Sequence, residues 1–181
     1  MNIARYPSSL TDAQWALIEP MLPSPNKRGR PPTDRRQIID AMLYILKGGV
    51  QWRMLPSGFP PWQTVYHVFH KWTKENAWDP INDRLRALVR EAVGKRSRPT
   101  ASILDSQRVK SDPHGGCVGY DAGKCIKGRK RHILVDTLGL LLGVHVTAAS
   151  TPERSGAKEL LEGVLQGFNW LRILWVDGGY N

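Results

Sequence analysis

Residues Arg131–Thr147, RHILVDTLGLLLGVHVT, decide the class of fold. Arg131 to Asp136 reads as a strand, Thr137-Leu138-Gly139 as a turn and Leu140 to Thr147 as a second strand. Strands joined by so short a turn must run antiparallel. Upstream, Ser102 to Val109 (SILDSQRV) reads as another strand, with the carboxylate of Asp105 at its centre. Between them, His114 to Gly128 holds five glycines and reads as a loop. Downstream, Ser155 to Gln166 suits a helix that turns Ala157, Leu160, Leu161, Val164 and Leu165 inward. Leu171 to Val176 then reads as a buried strand, delivering Asp177 into Gly178-Gly179. The order β-β-β-α-β specifies a mixed sheet and excludes a Rossmann repeat.

The first half has a different period. Thr11-Asp12-Ala13-Gln14 has the form of a capping box, followed by Trp15, Ile18 and Leu22 on one helical face. Thr33 or Asp34 caps a second helix with Ile38, Ile39, Met42, Leu43, Ile45 and Leu46 on its apolar face, closing at Gly48-Gly49. A third helix begins near Trp62, where Trp62, Val65, Tyr66, Phe69 and Trp72 form an inward stripe. A fourth starts at Asp79-Pro80 and runs through Ile81, Leu85, Leu88 and Val89 to Gly94. The chain is therefore expected to be α+β: a helical domain over 1–94, a basic linker over 95–100 (KRSRPT) and a sheet domain over 101–181.

Charge divides along the same line. The net charge is +10, and residues 1–100 hold 16 Lys/Arg against 8 Asp/Glu, whereas 101–181 hold 10 against 8. Such an excess points to a polyanionic partner, and its placement makes the helical half the nucleic-acid-binding one. The third helix turns Gln63, His67, Lys71 and Lys74 to its outer face, an arrangement like helix-turn-helix proteins. Lys71 and Lys74 would meet phosphates and Gln63 and His67 base edges; the alternative is a merely solvated face. The link SPNKRGRPP, with Lys27, Arg28 and Arg30, is either a solvated loop or an arm lying on phosphate or in a minor groove. Lys127, Arg129, Lys130 and Arg131 form a third basic run, leading into the strand beside Asp105.

Several classes are excluded. Cys117 and Cys125, with seven residues between them, are too few for a disulfide framework and match no zinc pair. No stretch approaches a membrane span, and MNIARYPSSL lacks the apolar run of a signal peptide, so a soluble cytoplasmic location is expected. Asp105 and Asp177 are the candidate site. If their strands lie side by side, the two carboxylates converge and need a compensating cation, for which hard oxygen ligands favour Mg²⁺ or Mn²⁺. Strand aspartates also cap turns or pair with arginine, and that reading stays open on pattern alone.

Longer motifs narrow the choice. YPSSLTDAQWALIEPMLP, GRPPTD and GGVQWRMLPSGFPPWQTVYHVFHKW, followed by LDSQRVK, GYDAGKCIKGRKRHILVDTLGLLLGVHV and WVDGGYN, resemble bacterial insertion-sequence transposases of the DDE superfamily (the IS-five type). The resemblance runs from Tyr6 to Asn181. It implies a partial RNase H-like catalytic domain in which Asp105 and Asp177 are the first two acidic metal ligands. It further implies binding of terminal inverted repeats, metal-dependent cleavage and transfer of double-stranded DNA into a target, and a homo-oligomer when active. The family's third ligand is a glutamate in a Tyr-x2-Arg-x3-Glu-x6-Lys signature after WVDGGYN. Glu153, Glu159 and Glu162 all precede that motif and do not match it. The resemblance thus implies a C-terminally truncated chain, inactive alone, whose alternative role is that of a DNA-binding remnant or regulator. Ser150-Thr151-Pro152-Glu153-Arg154-Ser155 departs from the family's Asn-x-x-Asp-Arg-Asp run, and Asp136 reads as a turn residue.

Overall fold

A computed structural model describes residues 6–24, 33–110 and 116–177. The chain separates into two compact units, residues 1–82 and 83–181.

In the first unit, Thr11 caps α1 (Asp12–Ile18) with the expected capping box, the Thr11 hydroxyl accepting from Gln14 N and the Gln14 amide oxygen accepting from Thr11 N. Asp34 caps α2 (Arg35–Gly48), and Gly49 ends it at φ +61, a left-handed position that glycine adopts without a Cβ clash. Buried Asp40 on α2 accepts from Leu10 N at 2.8 Å, and Arg36 donates to Leu10 O at 2.8 Å, so the start of α1 is tied to α2. Ile38, Ile39, Met42 and Ile45 are buried as the periodicity requires, whereas Leu43 is only partly buried and Leu46 of the same expected face is 72% exposed. Tyr6 stacks on Phe59 at 4.9 Å and meets Tyr44 edge-on at 4.9 Å.

Residues 49–61, which include a 3-10 turn at Trp52–Met54, join α2 to α3 (Trp62–Lys74). That connection is far longer than the three- or four-residue turn of a helix-turn-helix, while the expected helices are present. Val65 and Trp72 on α3 are buried, but Tyr66 leaves the predicted stripe and is 43% exposed, edge-on to Trp52 at 5.2 Å. Trp72 and Trp78 meet at 5.7 Å.

The division between the units falls inside α4 (Trp78–Ala92), which begins one residue before the expected cap. Only Ile81 of its expected apolar stripe is buried; Val89 is exposed, and the other buried positions are Arg86 and Arg90. Hydrophobic periodicity misses them because each cation is neutralised or capped. In the second unit, Arg86 donates to Leu141 O at 2.8 Å and to Asp83 at 2.6 Å, and lies over the Phe168 ring. Arg90 donates to Arg96 O at 2.8 Å and forms a buried ion pair with Asp136. Asp136 is also the turn residue expected: its other oxygen accepts from Leu138 N at 2.8 Å and Leu140 N at 2.9 Å.

The second unit is a mixed sheet with one helix. Its strands are β1 (Ala101–Lys110), β2 (Gly119–Asp121), β3 (Ile126–Asp136), β4 (Leu141–Ala148) and β5 (Ile173–Val176), with α5 (Glu153–Leu165) before β5. β3 pairs antiparallel with β1, β4 and β2, and β1 pairs parallel with β5. The glycine-rich segment expected to be a loop therefore supplies β2 and the start of β3. Gly128 lies within β3, where an added Cβ would stand 2.0 Å from Val109 O, so glycine is the condition for pairing there.

Leu104, Leu134 and Leu142 bury one face of the sheet under Ala157 and Leu160 of α5 and under Phe168. Gly143 lets α5 approach β4; its Cβ would lie 2.4 Å from a Val164 methyl. β5 was expected to be buried, yet its four residues are 39–49% exposed. It lies at the end of the strand order, and the face it shares with Ile103 and Val144 has no covering element among the described residues.

Candidate functional site

Alternation along β1 assigns its residues to two faces. Ser102, Leu104, Ser106 and Arg108 point towards α5; Ile103, Asp105, Gln107 and Val109 point to the open face. The parallel register pairs Ile103 with Trp175 and Leu104 with Val176. Asp105 and Asp177 each follow the last paired residues of that register, so strand alternation, if it continues one residue past β5, would bring both carboxylates to the open face. Both are exposed, and Asp105 Oδ1 accepts from Ser106 N at 2.6 Å.

Two carboxylates so placed repel unless a cation or shared proton lies between them. Their oxygens are the donor set that suits a hard divalent ion, with remaining positions left to water or to phosphate oxygens. Among the described residues, no group of three or more His, Cys, Asp or Glu forms a metal-holding cluster. The chemistry of the two carboxylates suits a hard divalent ion.

The basic run of β3 is split by the same alternation. Arg131 pairs with Gln107 and Arg129 with Val109, placing both arginines on the open face with Asp105. Lys127, opposite Tyr120, is exposed. Lys130 was expected beside them, but it lies on the other face, 3% exposed, donating to Thr151 O at 2.7 Å. In the first unit Gln63, His67, Lys71 and Lys74 are all exposed on α3, with Lys71 3.9 Å from Glu75. Lys27, Arg28 and Arg30 lie outside the described residues.

Behind Asp105, on the helix side, is a charge cluster for which periodicity offers no signal. Arg108 forms ion pairs with Asp121 of β2 and, at 2.6 Å, with Glu153 at the start of α5. Ser106 donates to the same Glu153 at 3.2 Å, and Lys130 Nζ lies 4.0 Å from Asp121. The hydrogen bond from Arg108 holds the Asp121 carboxyl below its ordinary value, and the Asp121 bond in turn raises Arg108. The cluster ties β1, β2 and α5 together at the strand position next to Asp105, and it accounts for both Asp121 and Glu153. Nearby, fully buried His132 bonds Thr147 Oγ1 through Nε2 at 3.1 Å, and burial lowers its pKa.

Two family models match the chain: "Putative transposase of IS4/5 family" over residues 10–82 and "Transposase DDE domain" over residues 96–181. Among curated proteins, the "Insertion element IS402 uncharacterized 16.2 kDa protein" of Burkholderia cepacia is 34% identical over 90 residues, which is 46% of this chain and 61% of the relative. "Uncharacterized protein y4sN" of Sinorhizobium fredii (strain NBRC 101917 / NGR234) is 32% identical over 84 residues, again 46% of this chain and 65% of that protein. The chain thus spans less than two thirds of the length of either relative. No solved structure matches it, and no helix among the described residues is long and apolar enough to cross a membrane. The two models match the chain on either side of α4's end, each over less than half of it, so the chain is similar to insertion-sequence transposases of the IS4/5 type in its first part and to a transposase DDE domain in its second.

Proposed function

We propose that this chain handles double-stranded DNA for an insertion-sequence transposase, with Asp105 and Asp177 as acidic metal ligands of an RNase H-like unit. The observation that supports this reading is the β1–β5 parallel register, which pairs Leu104 with Val176, the residues just before Asp105 and Asp177. Asp105 and Asp177 would hold a divalent ion, Mg²⁺ or Mn²⁺. When bound, such an ion lowers the pKa of an attacking water and stabilises developing charge on phosphate oxygens. Arg131, Arg129 and Lys127 would bind and orient the backbone beside the carboxylates. Lys130, buried against Thr151, is left a structural role. In the first unit α3 would present Gln63 and His67 to base edges of the transposon ends and Lys71 and Lys74 to phosphates, carried by the long 49–61 connection. Lys27, Arg28 and Arg30 would extend the phosphate contacts. A second site on target DNA and assembly of several copies complete the reading of the active transposase.

A second reading starts from the third ligand that the family resemblance implies: Glu153, Glu159 and Glu162 all precede WVDGGYN and do not match it. A chain so equipped would bind element ends and regulate, rather than cut them. One experiment separates the two: the 181-residue protein is mixed with end-sequence duplex in Mg²⁺ or Mn²⁺, and band shift and nicking are followed together. The first reading expects nicking that Asp105→Asn and Asp177→Asn abolish. The second expects a shift without nicking. Nicking that persists in Asp105→Asn overturns the metal-ligand assignment.

A further inference from the structure

We propose that Gln107 is a positioning residue that holds the Arg131 guanidinium, with its charge intact, for a DNA phosphate beside Asp105. Gln107 and Arg131 are direct partners across β1 and β3, and Arg131 Nη2 donates to Gln107 Oε1 at 2.6 Å. Both side chains are exposed on the open face, and Gln107 is two residues along β1 from Asp105. The neighbouring arginine of β1 provides the contrast. Arg108, on the opposite face, is bound by the carboxylates of Asp121 and Glu153, so its charge is neutralised within the fold. Arg131 is held instead by a neutral amide. An amide oxygen fixes the direction of the guanidinium and lowers the entropy lost on binding, but cancels none of its field. A guanidinium has five N–H donors; with one engaged by Gln107, the rest remain for a bidentate phosphate contact. A glutamate at position 107 would make as good a hydrogen bond and defeat this purpose.

The proposal rests on the reading that the open face receives DNA, and its test is independent of the metal. Binding of the full chain to a fluorescein-labelled duplex of mixed sequence is measured by anisotropy in EDTA across a salt series. Arg131→Ala is expected to reduce the slope of log K against log[salt] by about 0.9, the value for one phosphate contact. Gln107→Glu is expected to reduce it comparably, while thermal unfolding stays as in the wild type. Gln107→Ala should weaken binding by roughly 2- to 10-fold, the range for one modest hydrogen bond, and Gln107→Ala/Arg131→Ala should bind no more weakly than Arg131→Ala alone. Wild-type affinity and slope in both Gln107 variants, or losses that simply add in the double variant, would overturn the positioning role. Wild-type binding by Arg131→Ala would overturn the phosphate contact itself. Because no divalent ion is present, these outcomes are separate from failure of the nicking assay.

Discussion

Removing the cation of the Arg90–Asp136 pair should destabilise the sheet unit without touching its open face. Asp136 is fully buried and Arg90 6% exposed, so Arg90→Met leaves a carboxylate with no counter-ion inside the protein. Breaking one side of such a pair costs about 3–5 kcal/mol. The two amides of the turn, Leu138 N and Leu140 N, still bond Asp136 and favour the low end of that range. Set against a domain stability of roughly 5–15 kcal/mol, the loss is large, and methionine's good helix propensity keeps α4 itself from contributing. Hydrogen exchange followed by mass spectrometry, on peptides covering β3 and β4, reads the opening free energy of this unit alone. Arg90→Met/Asp136→Asn removes both charges and should recover most of the protection, since a buried pair is worth little against neutral replacements. A loss below about 1 kcal/mol in Arg90→Met would refute the reasoning, as would a double variant no better than the worse single one.

The glycines of α5 make a matched pair: an added Cβ at Gly156 would stand 2.1 Å from His132 Nε2, while at Gly163 it meets nothing within 4 Å. Gly156→Ala should cost about 1–3 kcal/mol by overpacking and Gly163→Ala should gain roughly 0.5–1 kcal/mol of helix propensity, both read as shifts in the urea midpoint. His132, whose pKa is lowered by burial, favours the fold fully above its ordinary value of 6.5; that contribution should fall away as pH drops through its lower folded value. Denaturation midpoints measured from pH 7.5 down to pH 5 should therefore decline, and His132→Leu should flatten that decline; an unchanged slope would count against it. Lys130→Met should leave the salt dependence of DNA binding unaltered, because the buried ammonium reaches Thr151 and not the open face; a fall of the slope by about one would show the opposite.

Local signals proved legible wherever a residue's partner lies within a few positions. The Thr11–Gln14 box, the Asp34 cap, the Gly49 stop and the Asp136 turn all follow from backbone geometry over three or four residues. Apolar periodicity likewise placed Ile38, Ile39, Met42 and Ile45 of α2 in a core. It failed where the buried groups are charged. Nothing in the sequence pattern marks Arg86, Arg90 or His132 for burial, and Lys130 was expected beside the DNA, because only partners far along the chain make their burial tolerable. β2 was hidden for a related reason: Gly119 and Gly128 mark loops by propensity, yet here they permit close approach of strands.

For the candidate site, residue chemistry came from sequence alone: one aspartate central to a strand and one just past a strand's end, a basic run, and motifs resembling those of a transposase. Which of those groups share a face depended on tertiary pairing. The parallel register of β1 with β5 pairs Leu104 with Val176, the residues that precede Asp105 and Asp177, and the β1–β3 register puts Arg131 on Gln107 while turning Lys130 inward. A strand's two-residue period says which side chains alternate, but only its hydrogen-bonded neighbours decide which side faces the helix and which is left open.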